Sequence, residues 1–227
     1  VIASESNQFG SSVAKEWDRA VGLRLENAVV LAAHRLDKLA GPEGLVCAVT
    51  GEPVSAQKAI GALTGKIKEL EKEGSPGLTA EKAAKLVPKF GINEATLEFL
   101  AVGRDWDEQR GEFVPCLSYA NKAASRNPKK GYCTGLGAIC SQMVVDNLFK
   151  KEMSIEAAVE VALQALYFAA FSHEVKGQTV EAIEVCVISG ESINTSRYTV
   201  EHLHKKFGHL IKERHDYLRS NPAPRYT

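Results

Sequence analysis

Residues 131 to 148, "GYCTGLGAICSQMVVDNL", form a strand-like run that breaks on Gly135 and Gly137 and then turns amphipathic, with Cys133 and Cys140 on either side of the break. Such a junction can do one of three things: cradle a phosphate, lead into a catalytic site, or join a strand tightly to a helix. A glycine turn entering a helix can aim backbone N–H groups at an anion, but "TGLGA" carries no Walker lysine and follows no βαβ pattern. A thiolate would be a competent nucleophile, yet both cysteines sit in apolar runs, where burial raises a thiol pKa and leaves it inert. Close packing of the helix on the sheet is the better account of the glycines. A second concentration of chemistry lies near the end of the chain, where His202, His204, His209 and His215 crowd one segment. No two of them stand at i,i+4, and no cysteine or carboxylate completes a ligand set, so a solvated helix face is expected and no metal or cofactor.

Composition narrows the remaining classes. Lys+Arg and Asp+Glu both number 28 in 227 residues, and 44% of the chain is hydrophobic. A net charge near zero supplies no electrostatic reason to expect nucleic acid or an anionic membrane as partner. The longest uncharged run, Gly131 to Val145, is too short and too interrupted by glycine to span a bilayer, and no basic start followed by an apolar stretch marks a signal peptide. Five scattered cysteines without CxxC spacing read as buried free thiols and fit a reducing, intracellular compartment, the cytoplasm first. The length suits one large domain.

Elements that would position these residues follow from periodicity. "AVGLRLENAVVLAA" (20 to 33) predicts a hairpin reversing at Glu26-Asn27. "GLVCAVTG" (44 to 51) predicts a strand covered on both faces. Ala56, Ile60, Leu63, Ile67 and Leu70 recur at helical spacing, predicting a helix over 55–73, and a second over 79–90 starts with Thr79 as N-cap and is limited by Pro88 and Gly91. "TLEFLAVGRD" (96 to 105) and "EFVPCLSYA" (112 to 120) predict a second hairpin. The glycine junction then feeds a helix over 137–150, and Ser154 caps another over 154–173. A strand over 180–189 and a final helix through Val200, Leu203, Phe207, Leu210 and Ile211 close the order. Strands and helices come in blocks, which argues for packed layers and against a doubly wound parallel sheet.

Four segments, "AVGLRLENAVVLAAHR", "LVCAVTG", "FLAVGRD" and "TGLGAICSQMVVDNLFKKEMSIEAAVEVALQALYFAAFSHEVKGQTVEAIEV", resemble in order and spacing the proteasome family of N-terminal nucleophile hydrolases. The resemblance covers roughly residues 18 to 210. It implies an α+β fold, a four-layer αββα sandwich of two antiparallel sheets, and assembly into a homo- or hetero-oligomeric ring or another multi-subunit complex. It divides the chain into an N-terminal extension (1–17), the domain (18–215) and a C-terminal tail (216–227). Helices after Gly51 and Thr134 are the ones such subunits bury against neighbours.

The same resemblance sets out what catalysis would need. A residue freed at the chain terminus attacks with its hydroxyl while its own α-amino group, of pKa near ~8, acts as base. The position of the terminal threonine falls on Asp18, which has no such hydroxyl and is preceded by 17 residues. The acidic residue after the second strand is His34, and the loop from His34 to Leu45 is too short for the usual extra strand bearing the cation, leaving Lys38 as the nearby basic residue. The serine between the two glycines is Leu136, and the later aspartate and serine correspond to His173 and Lys176. His34 and His173 could serve as acid or base near neutral pH, but with no hydroxyl or thiol placed beside them a structural role is expected. Gly10-Ser11-Ser12 resembles a self-cleavage junction and makes Ser11 the one rival nucleophile. Cutting there leaves "SSVAKEW" ahead of the hairpin and restores none of the missing partners. The expectation is a non-catalytic subunit with a structural role; the alternative is an active N-terminal nucleophile peptidase, or a hydrolase with a relocated nucleophile.

Overall fold

The computed structural model of the chain describes residues 19–33, 37–39, 45–75, 77–90, 97–135, 137–172, 182–190 and 192–220. The first half runs β1 (Arg19–Arg24), β2 (Ala28–Ala33), β3 (Asp37–Leu39), β4 (Leu45–Thr50), α1 (Pro53–Lys72), α2 (Ala80–Leu86) and a 3₁₀ turn at Val87–Phe90. The second runs β5 (Glu98–Asp107), β6 (Glu112–Asn121), β7 (Ser125–Arg126), β8 (Gly131–Gly135), α3 (Ala138–Leu148), α4 (Ile155–Ser172), β9 (Ala182–Ser189), β10 (Ser192–Thr199) and α5 (Val200–Ser220). All described strand pairs are antiparallel. They make one sheet in the order β10-β9-β2-β1-β8 and another in the order β3-β4-β5-β6-β7.

Alternation along β2 explains the layering. Side chains on a strand point to opposite faces in turn, so Val29, Leu31 and Ala33 share a core with Val46, Ala48, Leu100, Val102 and Leu117 of the other sheet. Ala28, Val30 and Ala32 point the other way and meet Ala158, Ala162, Ala165 and Leu166 of α4, with Leu203 and Phe207 of α5 in the same cluster. Both faces are therefore dry, which is why β2 reads as an unbroken apolar run. On the far side, Cys47, Val49, Phe99 and Ala101 of the second sheet pack on Ala56, Ala59 and Leu63 of α1 and Ala83 and Ala84 of α2. The α+β class with two antiparallel sheets, and helices against their outer faces, agrees with the expectation; α1 with α2 and α3 with α4 fall on opposite sides, also as expected.

Local signals account for most boundaries. Leu25 N–H bonds the Ala28 carbonyl at 2.8 Å, so the chain reverses at Glu26-Asn27. Glu52 caps α1 through Val54 and Ser55 N–H at 3.0 and 2.7 Å, ahead of Pro53, whose missing N–H is harmless at that position. Thr79 accepts from Lys82 N–H at 3.3 Å, and Ser154 from Ala157 N–H at 3.2 Å. Helix α2 stops at Leu86, short of the expected residue 90, because Pro88 has no N–H to continue the ladder and the chain tightens into the 3₁₀ turn. Gly91 lies outside the described residues.

Three strands depart from expectation. The segment after His34 does hold a strand: Asp37–Leu39 pairs with β4, with Lys38 opposite Val46. This corrects the expectation that the segment is too short, because an antiparallel edge needs only a few residues once a partner presents its free ladder. β7 is likewise brief, pairing Arg126 with Tyr119. β10 is long but polar and largely exposed, so it has no apolar alternation to read; β9 supplies its register from Ser192–Ser189 to Thr199–Ala182. Helix α5 continues to Ser220, into the expected tail, while residues 1–17 lie outside the described residues.

Candidate functional site

The positions that the resemblance assigns to catalysis, Asp18, His34, Leu136, His173 and Lys176, and the rival Ser11, all lie outside the described residues. Their described neighbours can be placed. Arg19 pairs with Gly135, and Ala20 pairs with both Ala33 and Thr134, so the residues adjoining 18, 34 and 136 in the chain converge at one end of the first sheet. α4 ends at Ser172 and β9 begins at Ala182, flanking the segment of His173 and Lys176.

The glycine junction is a packing device. Gly137 precedes α3 with φ 79°, a left-handed backbone that favours glycine, and a Cβ there would come within 3.0 Å of the Ala169 Cβ on α4. The close neighbour is thus a helix rather than the sheet expected from sequence. Gly135 donates its N–H to Glu98 Oε2 at 2.9 Å, which removes one of the donors a phosphate cradle would use.

That contact belongs to a polar cluster between the two sheets. Thr50, Glu98 and Asn121 are direct cross-strand partners on β4, β5 and β6 and so share one face. It is the face of Leu100, Val102 and Leu117, opposite Ala20 and Ala33 of the first sheet. Glu98 Oε1 accepts the Tyr119 hydroxyl at 3.0 Å, and Asn121 Nδ2 donates to the same hydroxyl oxygen at 3.0 Å. Burial and the neighbouring Glu98 carboxylate push the Tyr119 hydroxyl well above its ordinary range, so it remains a donor at neutral pH. The Tyr119 and Tyr132 rings lie 4.3 Å apart, and the Arg126 guanidinium sits 4.9 and 4.4 Å from their centroids. Thr50 and Thr134 are 1% and 2% exposed, and their hydroxyls have no hydrogen-bond partner among the described residues.

This arrangement clamps one sheet to the other at the end of β1 where Arg19, Ala33 and Gly135 converge. Among the described residues it shows no activated nucleophile: both Glu98 oxygens already accept a hydrogen bond, and neither threonine hydroxyl is hydrogen-bonded to a base. Glu98 was missed from sequence because "TLEFLAVGRD" reads as a strand. The available signal was a lone carboxylate between Leu97 and Phe99 in an otherwise apolar run. Glu98→Ala would leave Gly135 N–H and the Tyr119 hydroxyl without acceptors, and is expected to lower the unfolding free energy by about 2 kcal/mol. Denaturant melts should show that loss; a midpoint unchanged from wild type would mean that Glu98 does not clamp the two sheets.

The other candidates behave as structure. Cys47, Cys116, Cys133 and Cys186 are buried and Cys140 is half-buried, all as free thiols. Burial, with Asp105 nearby, pushes Cys116 up to about 12, and burial pushes Cys133 higher still, so neither is a thiolate at neutral pH. Cys140, expected to be buried, instead lies on the partly open side of α3. His202, His204 and His209 are exposed along α5, with His204 Nδ1 2.6 Å from the Tyr167 hydroxyl. Among the described residues, no group of three or more His, Cys, Asp or Glu is placed to hold a metal ion, and no helix is long and apolar enough to cross a membrane. Comparison with models of protein families finds none that matches this chain, and comparison with curated proteins finds no match either.

Proposed function

We propose that this chain is a catalytically silent, proteasome-like subunit of N-terminal nucleophile hydrolase type, whose work is structural: it forms, or docks on, an oligomeric assembly of its own copies or of related subunits. One observation carries the reading. Helix α3 buries Ser141 and Val145 but leaves Ile139 74% and Met143 57% exposed, one turn apart on the outward side. Val54, in the first turn of α1, is 54% exposed. Scattered surface apolar residues need no explanation, but successive large ones on one helix face are what an interface covers. These two helices are also the ones that the family resemblance assigns to contacts between subunits.

Light scattering at micromolar concentration is therefore expected to return a multiple of the 24.6 kDa chain mass. Replacing Ile139 and Met143 together by glutamate should weaken association at least ~10-fold, because each charge would have to be desolvated without a partner. A stable monomer from the unmodified chain counts against the proposal, and so does an assembly indifferent to both substitutions.

A further inference from the structure

At the far end of β1 from the Glu98 clamp lies a cleft that an assembly role does not use. β1 starts beside Gly135 and reaches Arg24, whose N–H bonds the Lys130 carbonyl at 2.7 Å; six extended residues cover about 20 Å. There the β1–β2 turn, the β5–β6 hairpin, the approach to β8 and the connection from α3 to α4 border an open cleft of about 320 Å³. Arg24, Arg110, Lys129 and Lys151 line it together with the carboxylates of Glu26 and Asp107. This is a local excess of positive charge in a chain whose acidic and basic residues balance at 28 each.

The excess is not consumed internally. Asp107 is already engaged, accepting N–H bonds from Gln109 and Arg110 at 2.9 and 3.2 Å and pairing with Arg110 Nε at 3.7 Å. The side chains of Arg24, Lys129 and Lys151 make no hydrogen bond or ion pair among the described residues. Set against the one remaining carboxylate, Glu26, these three cations leave an excess of two positive charges around one concavity, which favours entry of an anion. Half-buried Val114, with the small exposed edge of Leu25, supplies an apolar wall in the same cleft.

We propose that this cleft binds a small phosphorylated molecule. A phosphate monoester carries about −1.5 to −2 charge near neutral pH, which matches the local excess. Arginine forks and lysine point charges are the donors that phosphate takes best. The organic part of the ligand rests on Leu25 and Val114, and the volume lies at the small end of the ~300–1,000 Å³ range of ligand sites. A simple mineral anion would have no use for the apolar wall.

The test is an amide-resolved NMR titration of the full chain at constant ionic strength with phenyl phosphate, inorganic phosphate and benzoate. Expected are saturable shifts centred on Arg24, Leu25 and Val114, with phenyl phosphate binding at least ~10-fold more tightly than benzoate and more tightly than inorganic phosphate. Lys129 and Lys151 are exposed, so K129A/K151A keeps the folded spectrum; it should weaken phenyl phosphate at least ~10-fold. The charge-matched control K66A/K85A, on α1 and α2, should leave binding unchanged. Absence of saturable shifts, equal binding of all three probes, or equal loss in both double variants overturns the proposal.

Discussion

A chain shortened to begin at residue 18, with Asp18 replaced by threonine, is expected to turn over fluorogenic peptides no faster than buffer. Hydrolysis of this type needs a free terminal hydroxyl, its own amine as base, and supporting groups that orient the nucleophile and lower its pKa. The variant restores the first two. Strand β3 brings Lys38 into the sheet beside β4, so a backbone position for a cation exists after all. What remains missing is the supporting set, for Leu136, His173 and Lys176 stand where the resemblance calls for serine, aspartate and serine. Each lost partner costs a factor of about 10²–10⁴, so the nucleophile alone recovers no measurable route. Peptide cleavage by that single variant, or covalent labelling of the unmodified chain by a threonine-directed electrophile, would show a working site and end the silent-subunit proposal.

Gly137→Val is expected to lower the unfolding free energy by about 3 kcal/mol, through two causes that add. A β-branched residue at φ 79° is strained by about 1–2 kcal/mol. Its Cβ would lie 3.0 Å from that of Ala169, and both sit where α3 and α4 pack, so overfilling costs a further ~1–3 kcal/mol. For a chain of 227 residues this corresponds to a fall of about 6–12 °C in Tm. The contrast is Gly65→Ala on α1, where a Cβ meets nothing within 4 Å and the helical backbone suits alanine. That change should be neutral or stabilising by up to about 1 kcal/mol. Equal melting of the two variants would mean that the glycine junction is not the packing device described above.

How much of this was legible beforehand depends on the range of the physics. The β1–β2 hairpin, the doubly covered β4, the caps at Thr79 and Ser154 and the Pro88 stop are written in patterns a few residues long. Side-chain alternation, a capping hydroxyl and a missing N–H act within one turn of chain. Those elements and their block order point to packed layers and away from a doubly wound parallel sheet, while two antiparallel sheets with helices on both outer sides are what the family resemblance adds. By itself the sequence also settled the chemical types at Asp18, His34, Leu136, His173 and Lys176, since identity needs no geometry.

Only the tertiary structure decided the rest, because each remaining feature is made by residues far apart in the chain. β3, β7 and β10 have no pattern of their own; a neighbour's unpaired ladder makes them strands. Glu98 becomes a clamp only when Tyr119 arrives from β6 and Gly135 from the other sheet. Gly137 is explained by Ala169, thirty-two positions away, through a helix contact that periodicity cannot name. The basic cleft draws Arg24, Arg110, Lys129 and Lys151 from four separate segments. Charge counted along the chain averages to zero, whereas a ligand responds to charges within a Debye length of about 8–10 Å, and that neighbourhood exists only after folding.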